Sequence, residues 1–261
     1  MAAPPRRIVS LVPSLTELLF ALGVGDALVG VTRYCTDPPE GVASLAKVGG
    51  TKTPDVQAIL ALAPDLVVMN AEENRREDFD ACEAAGLGIF VTEPKTVADG
   101  IALIARLAVV VGAADRGRAL AEEQAARVKA VRAEVESRGR PPVRYFCPIW
   151  KRPWMAFNAD TYAHDMLRLA GGENLVGAAA ARYPEVTLDV IARGAPEVVL
   201  LPDEPYPFRA RDLGALAPLA ATPALAAGRV HLVDGKALAW YGTRSAAGLA
   251  LFAELFARRR V

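Results

Sequence analysis

Short apolar runs alternate with stretches whose apolar residues recur every three or four positions, and this rhythm runs through most of the chain. Residues 8–12 read as a buried parallel strand. Ser14-Leu15-Thr16-Glu17 then fits a capping box, in which the serine accepts a backbone N–H and the glutamate reaches back. Leu15, Leu18, Leu19 and Leu22 share one helical face, and Gly23 supplies a stop. The pattern continues with a strand at 28–32, a helix at 54–62 opened by Thr53-Pro54, a strand at 66–69, a helix at 75–85 and a strand at 89–91. The second half repeats the alternation: strand 143–147, helices 160–170 and 185–193, strands 198–201 and 230–233, helix 245–258. Strands alternating with helices predict parallel α/β sheets.

The halves also echo each other in their residues. Ala63-Pro64-Asp65-Leu66-Val67-Val68-Met69 parallels Ala195-Pro196-Glu197-Val198-Val199-Leu200-Leu201, with a constant offset of 132 residues. Upstream lie Pro54-Asp55-Val56 and Pro184-Glu185-Val186, which places two extra residues in the second copy. A third match pairs the apolar strand 9–13 with 145–148, each ending at a proline. Three matches in one order predict two related lobes. Between them, 115–139 is rich in charge but carries Leu120, Val128, Val131 and Val135 as a helical stripe, ended by Pro141-Pro142. Following a helix at 97–112, this segment predicts a single long backbone helix joining the lobes. The expected organisation is an N-terminal α/β lobe over 1–112, a connecting helix over 113–140 and a C-terminal α/β lobe over 141–261. A ligand cleft is expected between the lobes, where loops at the carboxyl ends of strands collect polar and aromatic groups.

Composition narrows the function classes. Thirty basic and thirty acidic residues balance to a formal charge of zero, without the basic excess that neutralises phosphates, so no nucleic-acid partner is expected. Three scattered cysteines, Cys35, Cys82 and Cys147, match neither a zinc motif nor a disulfide scaffold, and the two histidines, His164 and His231, do not suggest a metal site. No G-x-S-x-G elbow, phosphate loop or dinucleotide fingerprint is present, and His164-Asp165 falls within a helix. No catalytic residue, metal ligand or intrinsic cofactor is therefore assigned. The acidic groups Glu72, Glu73, Glu77, Asp78, Asp203 and Glu204 read as solvated faces. The stretch after Arg6-Arg7 is broken by Pro13, Ser14, Thr16 and Glu17, so no signal peptide is read in this chain.

All three tryptophans lie in the second half. Trp150 and Trp154 flank Lys151-Arg152-Pro153 just after a strand, and Trp240-Tyr241-Gly242-Thr243-Arg244 follows the strand that ends at Val233. With Tyr183, these residues form a set of flat side chains in loops, suited to a bulky, partly apolar ligand.

Val12-Pro13-Ser14-Leu15-Thr16-Glu17, Ala63-Pro64-Asp65-Leu66-Val67 and Asp165-Met166-Leu167 with Ala170-Gly171-Gly172-Glu173-Asn174 together resemble the vitamin B12 and ferric-siderophore substrate-binding proteins of ABC importers, particularly the periplasmic vitamin B12-binding group. The resemblance covers roughly residues 6–258. It implies a non-catalytic binding protein for a large metal chelate, a corrinoid such as cobalamin, with a siderophore or heme as alternatives. It also implies ABC-transporter membrane subunits as partners, a monomer, and a periplasmic or cell-surface location. A cytoplasmic chelate-handling protein or enzyme reusing the fold is the other expectation, should Met1 be the native start.

Carried over position by position, the resemblance puts Tyr34, Trp154 and Tyr183 at aromatic ligand positions. Two tryptophan positions of the family fall on Thr51 and Asn70, leaving the first lobe less aromatic; Trp150, Trp240, Tyr241 and Arg244 would compensate, with Arg244 meeting an anionic or amide side group. For docking to the transporter, the family's paired glutamates fall on Gln57 in the first lobe and Asp189 in the second, with Asp55 and Glu185 nearby as substitutes.

Overall fold

The computed structural model describes residues 3–258. Its contacts divide the chain into two compact units: one comprises residues up to Pro94, Ala98–Gln124 and Tyr241–Thr243; the other comprises Lys95–Val97, Ala125–Trp240 and the residues from Arg244 onward. Both are α/β.

Unit 1 is built from β1 (Ile8–Ser10), α1 (Pro13–Ala21), β2 (Leu28–Val31), α2 (Pro39–Val42), β3 (Ala46–Lys47), α3 (Val56–Ala61), β4 (Leu66–Asn70), α4 (Arg76–Ala84) and β5 (Gly88–Thr92). These are followed by α5 (Val97–Val110) and the first part of α6 (Ala114–Ser137). The sheet is parallel throughout, in the order β3-β2-β1-β4-β5. A parallel sheet covered on both faces needs strands that are apolar at successive positions. All residues of β1 and β4 are buried accordingly. Val9, Leu11, Val67 and Met69 pack with Val48 and Ile59.

The start of α1 differs from the capping-box expectation. The helix opens at Pro13, with Val12 as an N-cap that makes no side-chain bond, and Ser14 and Thr16 are buried inside it. Proline pre-sets the first helical φ and lacks the N–H that a cap would satisfy, so the serine is not needed as a cap. Thr16 instead donates to the carbonyl of Val12 at 3.0 Å. At the other end Gly23 takes φ +78°, and the Val24 N–H reaches the Leu19 carbonyl at 3.1 Å, closing a Schellman turn as its glycine suggested. α3 also begins later than the sequence suggested. Asp55, not Thr53, is its cap, its carboxylate accepting the Ala58 N–H at 3.0 Å.

Unit 2 takes up α6 from Ala125 and continues with β6 (Val143–Phe146), α7 (Tyr162–Leu169), β7 (Gly172–Asn174), α8 (Leu188–Arg193), β8 (Val198–Pro202), a 3₁₀ segment over Ala210–Leu219, α9 (Pro223–Ala226), β9 (Val230–Val233), α10 (Gly235–Ala239) and α11 (Ser245–Ala257). Its parallel sheet runs β7-β6-β8-β9, the order of β2-β1-β4-β5. Phe146, Val199, Leu201, Leu188, Ile191 and Phe208 anchor one core. Elsewhere Tyr145 stacks on Phe256 at 5.7 Å, and a Cβ on Gly172 would stand 2.7 Å from both rings, so β7 requires glycine there. β7 was not read from the sequence, because three residues centred on a glutamate carry no strand signal.

The echo is structural. Ala63 and Ala195 both adopt left-handed φ, +43° and +48°. Asp65 accepts the N–H groups of Arg6 and Arg7 and donates its own to the Arg7 carbonyl; Glu197 accepts the Arg144 N–H and donates its own to the Arg144 carbonyl. Ile8 and Tyr145 therefore occupy equivalent places, facing Leu66 and Val198. One match is corrected. Asp55 caps α3 and Thr187 caps α8, again 132 apart, so Thr187 rather than Glu185 is the counterpart of Asp55 and there are no two extra residues. Two boundaries also move. The division falls within α6, and Tyr241–Thr243, expected in the second lobe, pack with unit 1. Among the described residues no helix is long and apolar enough to cross a membrane.

Candidate functional site

In unit 1, Tyr34 and Thr51 lie in the loops that follow β2 and β3, and Asn70 and Thr92 are the last residues of β4 and β5. Tyr34 is 54% exposed, with the Arg33 guanidinium 5.3 Å from its ring centre. Asn70 faces inward and is fully used: its Nδ2 donates to Thr92 Oγ1 at 3.2 Å and to the Tyr241 hydroxyl at 2.9 Å, and its Oδ1 accepts the N–H groups of Glu72 and Glu73. Thr51 contributes its carbonyl to Asn74. Tyr241, expected at a ligand surface, is only 5% exposed, and burial pushes its phenol well above the ordinary tyrosine range. That placement corrects the expectation: its ring fills the core and its hydroxyl completes a hydrogen-bond network.

Unit 2 gathers most of the aromatic residues. Residues 149–155 form a hairpin, and the segment after Tyr183 runs beside it, with Ala156 N–H bonded to the Pro184 carbonyl and Val186 N–H to that of Trp154. Met155 bridges both Trp150 and Glu185 in antiparallel fashion. This pairing brings Trp150, Trp154 and Tyr183 to one neighbourhood at the carboxyl end of β6. Trp150 and Tyr183 are 43% and 40% exposed. Trp154 is half-buried and lies flat on Phe208 at 5.9 Å. Tyr206 packs against Phe208 at 4.6 Å and receives Trp150 edge-on at 5.6 Å. Tyr206 and Phe208 were missed by the sequence reading, although an aromatic-Pro-aromatic run just after an apolar strand was a signal for them.

After β9 the expectation is again corrected. Trp240 is 6% exposed. Lys236, 4.8 Å away, and Arg244, 5.0 Å away, both make cation–π contacts with its ring. A side chain this buried and already in contact with two cations offers little ring surface to a ligand. Burial raises the carboxyl of Glu204, and a hydrogen bond with Trp240 partly opposes this. Arg244 stays half-buried, 4.0 Å from Asp234.

The docking candidates Gln57, Asp55, Asp189 and Glu185 are exposed, Gln57 and Asp189 at equivalent places on α3 and α8. His164 packs beside Asn174 at 3.3 Å, and burial lowers its imidazole. Cys35, Cys82 and Cys147 are buried free thiols, all pushed upward by burial. Among the described residues no three His, Cys, Asp or Glu side chains cluster to hold a metal ion. A cavity of about 440 Å³ lies elsewhere, along β9 among Leu213, Leu232, Leu251 and Arg258, and takes in none of these aromatic residues. The arrangement offers surfaces for stacking and charge.

A family profile described as periplasmic binding protein matches residues 8–237. The vitamin B12-binding protein of Vibrio vulnificus is 28% identical over 200 residues, 77% of this chain and 72% of that protein. The periplasmic heme-binding protein of Roseiflexus sp. RS-1 superposes with a TM-score of 0.86 at 27% identity, covering 96% of this chain and 97% of its own. The periplasmic vitamin B12-binding protein of Vibrio cholerae superposes at 0.85 with 22% identity over 98% and 99% of the two chains, a likeness of fold.

Proposed function

We propose that this chain, which belongs to the periplasmic binding protein family, captures a large metal chelate, a corrinoid foremost, and hands it unchanged to an ABC importer. The observation that carries this reading is the aromatic wall of unit 2. Trp150 and Tyr183 are exposed there, and Trp150 meets Tyr206, which packs on Phe208, itself stacked on Trp154. An exposed indole backed by other rings costs little entropy to hold in place and favours a flat, partly apolar ligand. Tyr34 in unit 1 adds an aromatic face, and Arg244 a cation for an amide or carboxylate side group. The sequence likeness to a vitamin B12-binding protein supports the corrinoid. The protein acts outside the cytoplasm as a monomer, and exposed Asp189 and Gln57 face the membrane subunits.

A heme ligand is the second reading. It is favoured by the 27% identity with a heme-binding structure and by the exposed phenol of Tyr34, an oxygen donor suited to ferric iron. Titration of the purified protein with cyanocobalamin, ferric heme and a ferric hydroxamate, followed by tryptophan quenching, tests both. Saturable quenching by cyanocobalamin that weakens in Trp150→Leu supports the first reading. A heme spectrum that changes in Tyr34→Phe supports the second, and no saturable binding of any chelate rejects both.

A further inference from the structure

The hairpin over 149–155 contains a feature that its aromatic content does not require. Ile149 N–H donates to the Met155 carbonyl at 2.8 Å, and Met155 N–H to that of Trp150 at 3.2 Å. Beside Trp150, Lys151 turns its ammonium inward. Its Nζ donates to Asp212 Oδ1 at 2.7 Å, and both side chains are largely buried. Asp212 also accepts the Arg209 N–H at 2.9 Å and the Tyr206 hydroxyl at 3.5 Å. One carboxylate thus ties the hairpin to the segment that carries Tyr206 and Phe208. Lysine is the side chain that most readily keeps its charge in water, and desolvating it beside a carboxylate adds little net stability compared with an apolar pair of similar volume. What such a pair does supply is a directional, short contact between two loops. Trp150 sits next to Lys151 and meets Tyr206 edge-on, so its ring inherits the position that the contact imposes.

We propose that the Lys151–Asp212 pair is a positioning device that holds the exposed Trp150 ring at the height and angle needed to stack on a flat macrocycle, so that both residues set ligand affinity without touching the ligand. This deepens the chelate-binding reading and rests on it for the ligand, but not for the placement of Trp150.

The test uses the full chain with Trp154→Phe and Trp240→Phe as the reference, leaving Trp150 as its sole tryptophan. Asp212→Asn breaks the pair, Asp212→Glu keeps it, and the double change Lys151→Met with Asp212→Leu replaces it without stranding a buried charge. Iodide quenching of Trp150 is measured without ligand, then affinity for cyanocobalamin and for ferric heme. The expected result is a changed quenching constant and an affinity loss of about 5- to 10-fold when the pair is broken or replaced. Asp212→Glu should recover part of that loss. Trp150→Leu should cost a similar factor, and replacing the pair in the Trp150→Leu chain should cost nothing more, because coupled residues are not additive. Unchanged Trp150 quenching in every folded variant overturns the proposal, as do losses that multiply. If neither chelate binds the chain with all three tryptophans in place, the binding reading fails; in that case, or if only the reference chain fails to bind, the ligand-free quenching alone decides whether the pair positions Trp150.

Discussion

Asn70 donates through Nδ2 to the hydroxyl of Tyr241 at 2.9 Å, joining the end of β4 to a residue 171 positions later in the chain. Thr92 at the end of β5 stands within 3.4 Å of the same hydroxyl. The bond explains why Tyr241 packs with unit 1 although its neighbours Trp240 and Arg244 belong to unit 2. It also gives Asn70 a structural role in the hydrogen-bond network. Tyr241→Phe keeps the ring and removes the hydroxyl, leaving Asn70 short of one buried acceptor. The expected cost is about 1–2 kcal/mol. A thermal melt should show a drop of a few degrees with chelate affinity unchanged; lost affinity with full stability would return Tyr241 to the ligand surface.

Ala63 and Ala195 hold left-handed backbone without being glycine. That conformation costs an L-residue about 1–2 kcal/mol, whereas glycine loses about 0.4–1 kcal/mol more than alanine through the freedom of its unfolded chain. The first quantity is larger. Ala63→Gly and Ala195→Gly should therefore each stabilise by roughly 0.5 kcal/mol, and the pair should add because the sites share no partners. Lower melting temperatures in both variants would show that the alanine methyl groups contribute more through packing than the backbone strain costs.

Much of the fold was legible because its signals are local and periodic. The buried strands β1, β4 and β8 stand out as apolar runs, and the Ala-Pro-acid echo announced the equivalence that the Asp65 and Glu197 bonds confirm. Helix starts were less legible. Thr53-Pro54 and Asp160 look like caps in isolation, but Asp55 and Thr161 hold that role, since a cap depends on where the chain turns and not on residue type alone. The aromatic loops of unit 2 were legible in composition, not in exposure. Trp240 and Trp150 look alike in sequence; only the flanking Lys236 and Arg244 decide that the first is covered. Lys151 and Asp212, 61 residues apart, had no sequence signal as a pair.

Burial lowers the imidazoles of His164 and His231 below the ordinary histidine value, in both cases with an arginine nearby adding to the effect. A histidine depressed in the folded state binds its proton more readily when unfolded. Its stabilising contribution is therefore present above the unfolded value of about 6.5 and is lost as pH falls through the lower folded value. Glu204 acts in the opposite sense: its raised carboxyl favours the folded state at lower pH, and that contribution fades as pH rises through the folded value. Melting temperature should decline as pH drops below about 6.5, and His164→Asn, which keeps a polar partner for Asn174, should flatten that decline. An identical pH profile in the variant would show that His164 does not titrate with unfolding.

Docking to a transporter should be lopsided. Gln57 and Asp189 stand at equivalent positions of α3 and α8, both exposed, but only Asp189 carries charge. Asp55 is poorly placed to substitute, since its carboxylate already accepts the Ala58 N–H as a helix cap; in unit 2 the cap is Thr187, and Glu185 lies upstream in the strand-like segment paired with Met155. Charge-assisted hydrogen bonds are roughly twice as strong as neutral ones, so a basic membrane partner would gain more from unit 2. Exposed charges act mainly on the rate of encounter and are screened beyond about 8 Å at physiological salt. Asp189→Lys should accordingly slow association with the membrane subunits more than Gln57→Lys does, and added salt should narrow the difference. Gln57→Glu, which restores a charge on unit 1, should speed association and steepen its salt dependence. Surface-plasmon association rates at two salt concentrations would measure all three, and a partner that binds Asp189→Lys and Gln57→Lys as well as the parent chain would remove α3 and α8 from the docking surface.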